Sequence, residues 1–166
     1  MLKRKDPVNL TDQEKNELYD FIKNYKLISQ PFIDKYDSSF YKQVWMRASG
    51  AKSQIHANPG YYQSLKKAQL LYPNPDFEQI ELDVTRTFPH IRDKDKREEK
   101  ENQLRNVLNT YLKRNAKVGY FQGLNYIAGN LLTCLNEEEA FWVTCMIIEK
   151  YFPLDYYSNF FGVLAD

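Results

Sequence analysis

Apolar residues along this chain return every third or fourth position, and the strict alternation that marks a half-buried strand is nearly absent. Thr11 with Glu14 makes a capping box, and Leu18, Phe21, Ile22 and Tyr25 continue it as a first helix over roughly 12–26. A connector over 27–37, containing Pro31, leads to a second helix. That helix is expected to start after Ser38 or Ser39, bury Phe40, Val44 and Trp45, and stop near Gly50. Asn58-Pro59 predicts an N-cap with proline at the first helical position. Tyr62, Leu65 and Tyr72 lie along the helix that follows, until Pro73-Asn74-Pro75 breaks it. Asp76 is expected to cap the next helix, where Ile80, Asp83, Val84 and Thr87 share one face and Pro89 sets the end.

Beyond Pro89 a dense, balanced charge run from Arg92 to Glu101 suits a solvated helix start or a mobile loop. The same stretch gains an apolar stripe at Leu104, Val107, Leu108 and Tyr111 and is expected to end about Asn115. Lys117-Val118-Gly119 predicts a turn. From Gln122 onward, Leu124, Ile127, Ala128, Leu131, Leu132 and Leu135 make a helix apolar nearly all round, which belongs at the centre of the fold. Gly129 inside it costs about 1 kcal/mol of helix propensity and makes sense where another backbone packs closely. Asn136, followed by Glu137, Glu138 and Glu139, opens a last helix striped by Phe141, Thr144, Cys145, Ile148 and Tyr151. The expected fold is all-α, an irregular domain of seven or so helices. The ending Phe160-Phe161-Gly162-Val163-Leu164-Ala165-Asp166 is apolar where a terminus usually frays into polar residues. The chain is therefore expected to stop inside a larger fold.

Composition narrows the function classes. The 23 basic and 22 acidic residues leave a net charge of +1, which supplies no global field for nucleic acid or an anionic membrane. No nucleic-acid partner is expected. The 13 tyrosines and 10 phenylalanines place many packing positions at a wet boundary. Cys134 and Cys145 form neither a disulfide framework nor a zinc spacing. The charged start has no apolar run behind it, and no stretch is long enough to span a bilayer. A cytoplasmic chain without an integral membrane segment is expected. His56 and His90 have no partner at metal-ligand spacing, so no metal is expected. No nucleophile elbow and no phosphate-binding glycine loop occurs.

Two side chains remain as candidate chemistry. Arg86 lies three residues after Asp83, close enough for the carboxylate to steer the guanidinium, and near a helix end from which it can reach outward. Alone, this is an ordinary surface ion pair. Gln122 stands at the mouth of an apolar helix, just after a turn, and alone is an ordinary helix-start residue.

Together, the stretches that carry them closely resemble the paired signature of the TBC domain family, the GTPase-activating proteins of Rab GTPases. The family pattern IxxDxxR matches Ile80, Asp83 and Arg86, continued by Thr87-Phe88-Pro89. The pattern YxQG matches Tyr120, Gln122 and Gly123, continued by Leu124-Asn125-Tyr126-Ile127-Ala128-Gly129. The arginine motif comes first, as in the family. Weaker similarity covers Val44-Trp45 to Gly50-Ala51 and Tyr151-Phe152 to Tyr156-Tyr157.

The resemblance implies that 41–166 is the N-terminal portion of a TBC (Rab-GAP) fold, with the C-terminal portion missing and 1–40 a lead-in with the first helix. It implies a Rab-family GTPase in its GTP form as partner, and vesicle traffic as the setting. Arg86 would be an arginine finger and Gln122 a glutamine finger, with Asp83 aiming Arg86 and Tyr120 and Gly123 shaping the turn that presents Gln122. No cofactor of its own is implied, since GTP and Mg²⁺ belong to the partner, and any association with intracellular membranes would be indirect. A second reading of the same motifs is a non-catalytic TBC-like scaffold that binds a GTPase or adaptor. The two are separated by whether Arg86 and Gln122 face one shared, open surface.

Overall fold

The computed structural model describes residues 38–69 and 76–151. The expected first helix, the connector at 27–37, the break at Pro73-Asn74-Pro75 and the apolar ending lie outside the described residues. Among the described residues every regular element is helical, as the periodicity predicts.

Helix α1 runs Ser38–Ser49 and helix α2 Ala51–Ala57. Gly50, at φ 77°, turns the chain between them in a left-handed conformation that an L side chain adopts only under strain. Ser49 braces the corner, its hydroxyl donating to the Trp45 carbonyl at 2.7 Å and accepting the Ala51 N–H at 3.1 Å. Gly50 thus ends one helix and immediately opens another, which the spacing does not announce. Asn58 closes α2 instead of opening the next helix, because its side-chain amide donates to the Gln54 carbonyl at 2.9 Å. Pro59 and Gly60 form a turn, and α3 begins at Tyr61 and runs Tyr61–Gln69.

Helix α4 spans Phe77–Thr87, with Ile80, Asp83, Val84 and Thr87 buried as the spacing predicts. The charge run is helix rather than loop. Asp93 accepts the Lys96 N–H at 3.1 Å and starts α5, Lys94–Arg114. Helix α6 is short, Leu124–Leu131. The expected continuation to Leu135 fails because the chain tightens into successive three-residue turns, with the Thr133 N–H on the Asn130 carbonyl and Cys134 on Leu131, both at 3.2 Å. Lys100 donates to the freed Leu132 carbonyl at 2.7 Å. Helix α7, Glu137–Met146, opens on a reciprocal cap between Asn136 and Glu139 and runs into a π-helical turn at Ile147–Tyr151.

The centre of the molecule differs from expectation. Helix α6 is amphipathic, since Tyr126 is 54% exposed. The middle is taken by α5, which packs against α3, α4, α6 and α7. Its buried face of Leu104, Val107, Leu108 and Tyr111 shares one core with Tyr62, Phe141 and Trp142, three of the largest fully buried side chains. The unbroken burial of α7 from Ala140 to Cys145 makes it the other inner helix.

One polar cluster pins this core. Glu137 accepts from the Tyr62 hydroxyl at 2.6 Å, from the Asn106 amide at 3.0 Å and from the Lys66 ammonium, tying α3, α5 and α7 together. Burial raises its pKa, but the hydrogen bonds from Lys66, Tyr62 and Asn106 outweigh that and leave the carboxyl below its ordinary value. A folded-state pKa below the unfolded one gives stability that is present at neutral pH and is lost as pH falls through the folded value. Glu137→Ala is expected to cost about 1–3 kcal/mol in urea unfolding at neutral pH. The gap from the parent chain is expected to narrow in acid.

Candidate functional site

Helix α4 presents its site residues through its pitch. The stripe that carries Asp83 and Thr87 faces inward, and Arg86 falls on the flank of that stripe, in the last turn. The helix stops at Phe88, whose buried ring anchors the end, and Pro89 prevents continuation. Arg86 is exposed and makes no side-chain hydrogen bond or ion pair among the described residues.

The second stretch is a loop between α5 and α6. Tyr120 enters the interior, 6% exposed, and Gln122 turns out to solvent two residues later. Gly123 caps α6 at φ 105°. A Cβ there meets no neighbour within 4 Å among the described residues, and the backbone conformation explains the glycine.

Two cross-links bring the stretches together. The Tyr120 hydroxyl donates to Asp83 Oδ2 at 2.8 Å, and the Asn125 side-chain amide donates to Thr87 Oγ1 at 2.9 Å. Arg86 lies between Asp83 and Thr87 on one side of this junction, and Gln122 between Tyr120 and Asn125 on the other. A third link supports the loop, where the Tyr120 N–H donates to Asp76 Oδ2 at 3.2 Å. Asp76 therefore makes no side-chain cap to its own helix.

The partner of Asp83 corrects the sequence expectation. Among the described residues no ion pair joins Asp83 to Arg86. The carboxylate is 6% exposed in the inward stripe and is taken by Tyr120, while the guanidinium sits on the helix flank. Asp83 thus fixes the helix against the Gln122 loop, and Arg86 is left free of it. Burial, then the hydrogen bond to Asp83 and its charge, push the Tyr120 phenol well above its ordinary pKa, so it stays a donor throughout the neutral range. Tyr120→Phe leaves a buried carboxylate without that donor. It is expected to lower stability by about 1–3 kcal/mol in denaturant unfolding, with the loss much smaller for a Tyr120→Phe change made on Asp83→Ala, which has no side-chain acceptor left.

Spacing assigns no role to Thr87 or Asn125. The signal available was that Thr87 lies four residues after Asp83 and that Gly129 calls for a close neighbour. Among the described residues no three His, Cys, Asp or Glu side chains are placed to hold a metal ion, and no helix is long and apolar enough to cross a membrane.

Helical architecture and the ordered pair of motifs at one junction define an all-α domain of the TBC type. The sequence profile of the Rab-GTPase-TBC domain matches residues 38–165, and the chain belongs to that family. TBC1 domain family member 2B of Xenopus tropicalis is 43% identical over 109 residues, 65% of this chain and 12% of that protein. Human growth hormone-regulated TBC protein 1 is 42% identical over 120 residues, covering 70% and 34%. GTPase-activating protein GYP3 of Saccharomyces cerevisiae is 35% identical over 137 residues, covering 74% and 22%. The solved Chlamydomonas flagellar RabGAP TBC domain superposes with a TM-score of 0.62 at 26% identity, over 90% of this chain and 53% of that one. The chain spans at most about a third of these curated relatives and about half of the solved domain chain.

Proposed function

We propose that this chain accelerates GTP hydrolysis by a Rab-type GTPase in its GTP form, supplying Arg86 and Gln122 in trans. The observation that carries the reading is the junction itself. Asp83–Tyr120 and Thr87–Asn125 bracket two exposed polar side chains, without a side-chain bond among the described residues, of the types that phosphoryl transfer needs. Family membership, and a relative named as a GTPase-activating protein, support it.

Hydrolysis needs charge stabilised on the phosphates and a water held in line for attack. A guanidinium is permanently charged and forks onto phosphate oxygens. A carboxamide carries both a donor and an acceptor, so Gln122 can hold a water by its hydrogen and by its lone pair. The nucleotide and Mg²⁺ travel with the partner, and this chain brings no cofactor. The setting is the cytoplasm, with intracellular membranes and vesicle traffic reached through the partner.

The test is single-turnover GTP hydrolysis by a panel of GTP-loaded Rab GTPases, with and without the chain. Acceleration of at least one member is expected. Binding without acceleration anywhere in the panel supports the scaffold reading instead.

A further inference from the structure

We propose that Thr87, Asn125 and Gly129 form a positioning lock that sets Arg86 and Gln122 in register with each other. The proposal rests on the reading of those two side chains as groups delivered to a partner's nucleotide. None of the three touches that nucleotide; they act through their neighbours in sequence.

Thr87 is fixed from three directions. Its hydroxyl donates to the Asp83 carbonyl at 2.6 Å and accepts from Asn125 Nδ2 at 2.9 Å. A hydroxyl has one proton to give, so the bond to Asp83 leaves the oxygen facing Asn125 as an acceptor. Its methyl fills the space above Gly129, where a Cβ would lie 2.6 Å from Thr87 Cγ2. Methyl and hydroxyl share one β-carbon, so no rotation relieves one contact without breaking the others.

Asn125 is held by its donor end. It is 2% exposed, and among the described residues its Oδ1 has no partner. Besides Thr87, its amide makes among the described residues only a long 3.5 Å approach to the Asp83 carbonyl. A buried carbonyl without a donor is a stability cost, which points to the Thr87 bond as what this carboxamide is for. Thr87 directly follows Arg86, and Asn125 stands three residues after Gln122 in the first turn of α6. The bond between them therefore couples the end that carries one group to the start that follows the other. Glycine at 129 lets that end approach closely enough for the bond to form.

Two groups that act on one phosphate must keep their spacing, and a misplacement near 1 Å can cost about 10²-fold in rate. Thr87→Val keeps the shape and the methyl but deletes the hydroxyl. It is expected to slow single-turnover hydrolysis at saturating chain by about 10–100-fold, with little change in the half-saturating concentration. Thr87→Ser keeps the hydroxyl and is expected to restore most of the rate. Gly129→Ala, which pushes the methyl away, is expected to behave like Thr87→Val despite its better helix propensity.

A second readout needs no partner: amide hydrogen exchange over 119–127 is expected to quicken in Thr87→Val and Gly129→Ala, but not in Thr87→Ser. Where Thr87→Val does not fold, Asn125→Asp, which swaps the donor for an acceptor, is read in its place. Parental rates and exchange in the Val and Ala variants overturn the lock, as do equal losses in Val and Ser. Full acceleration by Arg86→Ala defeats the delivered-group reading separately, and the exchange result then still decides whether the lock exists.

Discussion

Arg86→Ala is expected to remove most of the acceleration, a loss of about 10³–10⁵-fold in rate at saturating chain. The size follows from where the guanidinium acts. It contributes little to its own fold, because it is exposed and makes no side-chain bond among the described residues. Surface changes of that kind usually move stability by no more than about 0.5 kcal/mol, so unfolding curves for the variant are expected to overlay the parent's. A large kinetic loss on an unchanged fold is the signature of a group meant for another molecule. Arg86→Lys is expected to recover little, since an ammonium keeps the charge but cannot fork onto two oxygens. Stopped-flow phosphate release with a responsive GTPase, beside urea unfolding, checks both halves.

Gln122→Ala comes second, with an expected loss of about 10²–10³-fold, the range for deleting one preorganised hydrogen-bonding group. The backbone that presents it is stiff on both sides. Tyr120 is bonded to Asp83 and Asp76, and Gly123 holds the turn that opens α6. Removing an exposed carboxamide from such a loop takes away chemistry and leaves shape. A sharper form of the prediction uses the partner. If Gln122 orients the water, a GTPase whose own catalytic glutamine is replaced should still respond to the parent chain and fail to respond to Gln122→Ala. If the partner's glutamine does the work, its replacement abolishes the response with either chain.

Local pattern made the elements legible and left their mutual arrangement open. The inward stripe of α4 follows directly from the spacing of Ile80, Asp83, Val84 and Thr87, and the start of α7 follows from Asn136 and its glutamates. The corner at Gly50 was harder. The same glycine serves the end of α1 and the start of α2, and no residue pattern says that a helix resumes at once. The short α6 depends on Lys100, distant in sequence, to satisfy the Leu132 carbonyl. Its apolar residues therefore suggested a longer and more central helix than the chain builds.

The candidate site shows the same division. Arg86 and Gln122 stand out because each sits in a recognisable local motif. The bonds that unite the motifs, Tyr120 to Asp83 and Asn125 to Thr87, join residues 37 and 38 apart, and no helical period reports contacts of that range. A carboxylate three residues before an arginine suggests a local pair, and burial decided otherwise. The expected role of Asp83 changes accordingly, from holding Arg86 to holding the helix that carries it.

Arg86 and Gln122 are proposed to meet one phosphate of a partner's nucleotide in the transition state. Aluminium fluoride with GDP mimics that state, and groups that act there bind the mimic far more tightly than the ground state. The direct measurement is therefore binding of the chain to a responsive Rab GTPase loaded with GDP, with and without aluminium fluoride, for the parent, Arg86→Ala and Gln122→Ala. A complex that tightens strongly with aluminium fluoride is expected for the parent, and hardly any tightening for either variant. Equal tightening in all three would contradict that proposal.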